Sequence, residues 1–143
     1  MTKKLLFLFD TDPVASVFDT VVGYDGGADH IIGYGGVTKA NVGALVDGCI
    51  YTRGPKEKQF TAIFVGGGDM TAGEAVFNAV KKRFFSNFRV SAMLDSNGSN
   101  TTAAAGVALL AKARPLAGKK AVVLAGTGPV GMRAAAMLNI CLL

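Results

Sequence analysis

The sharpest chemical signal is the stretch Ala121 to Gly131, AVVLAGTGPVG. An apolar run, Ala121 to Ala125, leads into Gly126, Gly128 and Gly131 spaced G-x-G-x-x-G, with Thr127, Pro129 and Val130 between them. A helix-compatible run, Met132 to Leu138, follows. Strand, glycine turn and helix together are the context in which this spacing binds a dinucleotide. Gly126 permits the tight turn, Gly128 lets the backbone approach a pyrophosphate, and Gly131 lets the helix pack close to its strand. The phosphates sit on unpaired N–H groups at the positive end of the helix dipole. Pro129 fits, because an early helix position needs no donor. An ordinary glycine-rich turn is the bland alternative.

The second chemical signal is a series of short polar clusters, each following an apolar run. They are Asp10-Thr11-Asp12, Gly33 to Gly36, Gly66 to Asp69, and Asp95 to Thr102. Asp69 suits a helix N-cap as well as a ligand contact, and Asp12, Ser16 and Asn100 have the same double reading. Asp95 stands several residues ahead of the helix that follows it, which leaves it open to a ligand. A substrate that becomes a cation on losing hydride needs no base, and fixed carboxylates would stabilise it. Carboxylates would equally hydrogen-bond the N–H groups of a heterocycle. His30 is the only histidine, there is no nucleophile elbow, and no Cys/His pair occurs.

The elements that must position these residues alternate. Strands are expected over Lys4–Phe9, Asp29–Ile32, Phe60–Val65, Arg89–Leu94 and Lys120–Ala125. Helices are expected over Val14–Tyr24, from Thr38 to about Val46, over Met70–Phe84 and over Thr101–Ala113. Val14, Val17, Phe18, Val21 and Val22 fall on one helical face and read as core. Lys56–Gln59 reads as a polar turn after Gly54-Pro55. This alternation predicts a three-layer αβα arrangement around a mostly parallel sheet, followed by the start of a Rossmann fold. In such sheets ligands bind beyond the carboxyl ends of the strands, where the polar clusters fall.

Composition narrows the function classes. Half of the 143 residues are hydrophobic and 17% are charged, as expected of strands buried on both faces. The net charge of +5 comes from scattered lysines and arginines, with no nucleic-acid motif. The apolar run after Lys3-Lys4 is too short for a signal peptide, and no run approaches a membrane span. Cys49 and Cys141 lie far apart without metal-ligand spacing, so free thiols, a cytoplasmic location and no metal are expected. Twelve residues follow Gly131, whereas the acidic residue that reads a ribose lies about 20 residues beyond such glycines. The chain therefore reads as the front part of a longer enzyme, with residues 1–100 as one domain, 101–118 as a connecting helix and linker, and 119–143 as the start of a cofactor domain.

Six stretches in order carry a resemblance. FDTD (Phe9–Asp12), VVGYDGGADH (Val21–His30), YTRG (Tyr51–Gly54), AIFVGGGDM (Ala62–Met70), MLDSNGSNTTAAAG (Met93–Gly106) and KKAVVLAGTGPVGMR (Lys119–Arg133) together resemble the NAD(P)-dependent methylene-tetrahydromethanopterin dehydrogenases of methylotrophic bacteria. The resemblance runs from about Lys3 to Leu138. It implies a pterin-side N-terminal domain, a Rossmann cofactor domain, and oxidation of a tetrahydropterin methylene bridge to the methenyl form with hydride passing to NAD or NADP. The substrate would be methylene-tetrahydromethanopterin, or methylene-tetrahydrofolate in some members. The enzymes are cytoplasmic oligomers whose partners are small molecules, neither nucleic acid nor membrane. By position and chemistry, Asp12 and Asp95 are assigned to catalysis. Phe18, Asn97, Asn100 and Thr102 are assigned to the pterin, and Gly126, Thr127, Gly128, Pro129, Val130 and Gly131 to the dinucleotide. Two alternatives stay open: a non-catalytic, flavodoxin-like nucleotide or phosphate-binding module, and an inactive fragment that associates with a partner.

Overall fold

Strand β1 (Leu5–Asp10) is the axis of the sheet. It pairs in parallel with β2 (His30–Tyr34) on one side and β3 (Thr61–Gly66) on the other, and β4 (Ser91–Leu94) pairs with β3. The order β2-β1-β3-β4 is parallel throughout. The LLFLF run suits this place, since a central parallel strand is covered on both faces. A computed structural model describes residues 2–142, in two compact units that divide between Ser96 and Asn97.

Alternation along β1 sends Phe7 and Phe9 to one face and Leu6 and Leu8 to the other. The Phe face holds the core. Helices α2 (Val42–Tyr51) and α4 (Met70–Arg83) cover it with Val42, Val46, Cys49, Ile50, Val76 and Val80, packed on Phe9, Ile63 and Val65. Helix α4 settles close because Gly73 has no side chain where a Cβ would collide with the Ser96 hydroxyl. Burial pushes the Cys49 thiol up to about 12, which makes it inert at neutral pH.

Helix α1 (Val17–Asp25) lies on the Leu face and corrects an expectation. Val14, Val17, Phe18, Val21 and Val22 are not core; all five are exposed, and no residue of α1 is buried. The helix meets the sheet through Gly23 instead, where a Cβ would stand 2.6 Å from Ile31 and 2.9 Å from Leu6. Helical period shows that an apolar stripe exists, but the bare glycine side gives the closer approach. Beside α1 a cavity of about 530 Å³ opens on this face, lined by Leu6, Phe64 and Met93 among others.

Several boundaries move for local reasons. Lys56–Gln59 is not a simple turn, because Pro55 starts a short helix α3 (Pro55–Lys58). Helix α2 begins after Asn41 rather than at Thr38, since the Asn41 side chain accepts the Thr38 N–H at 2.7 Å and the Thr38 carbonyl accepts from Val42. Strand β4 starts at Ser91, after a closed turn in which Phe85 and Phe88 exchange backbone bonds.

The second unit is α5 (Ser99–Ala113) packed on α6 (Pro129–Cys141), with Ala103, Val107 and Leu138 buried. The strand expected over Lys120–Ala125 does not form: residues 119–123 are irregular and residues 124–127 make a turn. A parallel strand exists through its ladder partners. All four strands of the described residues belong to the first unit, so this run has none in its own. No helix among the described residues is long and apolar enough to cross a membrane.

This division between a packed face and an open one is measurable. Ile50→Ala, at a fully buried position, should cost about 2–5 kcal/mol in urea denaturation. Val17→Ala on α1 should stay within about 0.5 kcal/mol of the parent.

Candidate functional site

From β1 the chain leaves to one side to build β2, then returns to the other side to build β3. The loops after β1 and β3 therefore diverge, and an open α/β sheet binds ligands at such a switch point. Asp10 closes β1 there and is 1% exposed. A carboxylate removed from water must be satisfied by the protein. Its Oδ1 accepts the Asp12 N–H and its Oδ2 the Ser16 N–H, both at 2.9 Å. Its backbone carbonyl accepts the Val37 N–H at 2.9 Å. One residue thus shapes the loop that carries Asp12 and delivers the chain to α1.

Asp12 joins the two diverging loops. Its Oδ2 accepts the Gly68 N–H at 2.9 Å, and its carbonyl accepts the Gly36 N–H at 2.6 Å. Gly67 permits this approach: its φ is +104°, and a Cβ there would run into the Thr11 hydroxyl and stand 3.0 Å from Asp10 Oδ1.

Sequence reasoning missed Asp19. Ser16 caps α1 by accepting the Asp19 N–H at 3.1 Å, so S-x-x-D reads as a helix start and nothing more. In the fold the Asp19 carboxylate hangs over Gly66, 3.1 Å from where a Cβ would be. Burial raises its pKa above the ordinary carboxylate value; the Ser16 hydrogen bond opposes this, and the charges of Asp10 and Asp95 reinforce it. Asp95, 7% exposed, follows β4, and its N–H donates to the Val65 carbonyl at 2.9 Å. Phe18 precedes Asp19 on α1 with its ring in solvent.

The first unit thus gathers Asp10, Asp12, Asp19 and Asp95 at one sheet edge. Asp69 has the blander role, capping α4 by accepting the Thr71 and Ala72 N–H groups at 2.7 and 3.0 Å. His30 is exposed on β2. Among the described residues no group of three or more His, Cys, Asp or Glu is placed to hold a metal ion. The cluster can stabilise positive charge, and a carboxyl with a raised pKa can hold a proton for a heterocycle acceptor.

Asn97, Asn100 and Thr102 belong to the start of the second unit. Asn97 adopts a left-handed φ of 57° in a 3-10 turn, and Gly98 caps α5. Asn100 and Thr102 lie in the first turns of α5; Asn100 is therefore inside the helix, not its cap. Further along, the glycine motif keeps its turn without a strand before it. Gly128 is the N-cap of α6 and its N–H reaches the Ala125 carbonyl at 3.0 Å. Pro129 occupies the first turn, and no side chain caps this helix end. A Cβ on Gly131 would strike the Ala125 carbonyl oxygen. A bare helix end behind a tight glycine turn is a fit for a pyrophosphate.

Comparison with known proteins places these features in a lineage. Residues 17–97, more than half of the chain, match the family model described as methylene-tetrahydromethanopterin dehydrogenase, N-terminal. The chain is 79% identical over 129 residues to the bifunctional protein MdtA of Methylorubrum extorquens, covering 89% of this chain and 45% of that protein. It is 31% identical over 141 residues to the NAD(P)-dependent methylenetetrahydromethanopterin dehydrogenase of the same organism, covering 94% of this chain and 48% of that protein. The chain thus spans a little under half the length of these curated relatives.

Two outcomes follow from the aspartates. Asp10→Asn puts an amide donor against one of two backbone N–H groups and should cost about 1–3 kcal/mol by denaturant midpoint. For Asp19, the folded-state pKa lies above the unfolded value near 3.8, so the folded chain holds that proton more tightly. The associated stability is present below that pH and is lost as pH rises through the folded value. Asp19→Asn should therefore gain on the parent as pH is raised from 3 to 7, read as a widening difference in denaturation midpoint in urea titrations across that range.

Proposed function

Because the chain belongs to the methylene-tetrahydromethanopterin dehydrogenase N-terminal family, we propose that it is the pterin-side part of an enzyme oxidising methylene-tetrahydromethanopterin, or methylene-tetrahydrofolate, to the methenyl form. The observation that carries this reading is the convergence of Asp10, Asp12, Asp19 and Asp95 at the β1/β3 switch point. Loss of hydride from the methylene bridge leaves a delocalised cation. Asp12 and Asp95 face that developing charge as fixed carboxylates, so no proton-transferring base is required. Asp19 donates a hydrogen bond to a pterin ring nitrogen when protonated and accepts one from a ring N–H when ionised. Phe18 offers a ring face for stacking. Asn97, Asn100 and Thr102, at the start of the second unit, are assigned to the pterin by their polar chemistry and the family resemblance alone.

Gly126, Thr127, Gly128, Pro129, Val130 and Gly131 would hold the pyrophosphate of NAD or NADP, with residues 119–143 as the first part of its domain. The bare N-terminus of α6 supports this assignment, and so does the tight glycine turn, in which a Cβ on Gly131 would strike the Ala125 carbonyl oxygen. A nicotinamide dinucleotide supplies the hydride acceptor when bound. The proposal places the enzyme in the cytoplasm as a homo-oligomer with small-molecule partners. A second reading, a flavodoxin-like nucleotide or phosphate-binding module, is favoured by the β2-β1-β3-β4 order alone.

Thermal shift of this chain with methylene-tetrahydromethanopterin tests the proposal. At a hundredfold excess over Kd the pterin should stabilise by about 2.7 kcal/mol. Asp12→Asn keeps an oxygen for the Gly68 N–H but removes the charge, so it should keep the unliganded Tm and lose most of the pterin-induced shift. No shift with the pterin, or an undiminished shift in Asp12→Asn, would overturn the assignment.

A further inference from the structure

A second cavity, of about 960 Å³, opens at the amino-terminal edge of the sheet, the edge opposite the aspartates. Lys58, Gln59 and Val90, just ahead of β3 and β4, are among its walls. Its cations are Arg53, Lys58 and Arg89, and no Asp or Glu lines it. Glu57, on the same short helix as Lys58, is turned back over Gly54, with Oε2 2.8 Å from where a Cβ would be.

Lys58 is the unusual member. It is 9% exposed, yet among the described residues its Nζ meets only the Asn87 carbonyl at 3.4 Å and the Phe88 ring at 4.5 Å. A lysine with so little exposed surface ordinarily has a counter-ion. Arg53 is anchored through one nitrogen. Its Nη1 donates to the Lys3 carbonyl at 2.8 Å, the Phe60 carbonyl at 3.1 Å and Thr61 Oγ1 at 3.3 Å, which leaves Nη2 and Nε for a ligand. Arg89 is exposed at the rim.

An aromatic wall stands beside this charge. Phe85 and Phe88 stack at 5.0 Å, and Tyr51 lies 5.3 Å from Phe88. The turn between the two phenylalanines holds Ser86 at φ 45°, a conformation a non-glycine residue seldom takes. Despite this cost, all three rings remain open to solvent. The size of the cavity is that of a small-molecule site.

We propose that this cavity binds a nucleoside monophosphate, its phosphate on Lys58, Arg53 and Arg89 and its base against Tyr51 and Phe88. None of its lining residues belongs to the glycine turn or the aspartate cluster, and it does not depend on the reaction proposed above. Amide NMR shifts of the 143-residue chain, titrated with AMP and UMP and separately with inorganic phosphate and adenosine, provide the test. The mononucleotides should move the signals of Lys58, Phe88 and Arg89 and bind more tightly than phosphate or adenosine. Loss of one charged contact in Arg89→Gln or Lys58→Met should raise Kd about tenfold. Arg89→Gln alters an exposed side chain, so the variant folds. The proposal fails if no shift occurs, if shifts gather at Gly126–Gly131, if both variants bind as the parent does, or if an oligoglutamate peptide binds more tightly than either mononucleotide.

Discussion

The Asp10 carboxylate is the constraint on which the first unit turns. A central parallel strand can end in a buried acid only if backbone donors meet it, and here two N–H groups of its own following loop do so. Those bonds bend the chain back at the sheet edge and hold Asp12 where it reaches across to Gly68. They also start α1 in the place that brings Asp19 over Gly66. The placement of Asp12 and Asp19 at this edge thus inherits something from that one residue.

The two ends of the sheet carry opposite charge. The carboxyl edge gathers four aspartates, while the amino edge gathers Arg53, Lys58 and Arg89. Parallel strands make this separation possible, because residues leaving the strands and residues entering them occupy different edges. Scattered along the chain, the basic residues look like solvated surface. The fold sorts some of them into a cavity wall.

Much of the sheet was legible. LLFLFD announced a buried strand closed by an acid, and AIFVGGGDM announced a strand, a turn and the Asp69 cap, all present in the fold. The order of elements likewise gave the αβα class. The burial of α1 was not legible, because periodicity marks an apolar stripe without saying which side meets the sheet. Lys120–Ala125 was not legible either, since a strand is a property of its neighbours. Asp19 hid inside a capping pattern. Lys58 hid in a charged run, and its burial depends on Phe88, thirty residues away in sequence. The roles given to Phe18, Asn97, Asn100, Thr102 and the glycine turn rest on chemistry and lineage.

Helix α1 has a further consequence, which concerns motion. It contributes no buried residue and leans on the sheet through a glycine. The free energy needed to lift it should therefore be smaller than that of unfolding the Phe-side core, and its amides should exchange early. Phe18 and Asp19 travel with it. The acidic edge is thus built partly on a strand end held by buried bonds and partly on a helix with no buried residue, so a ligand bound there would have to do the work of holding α1 down.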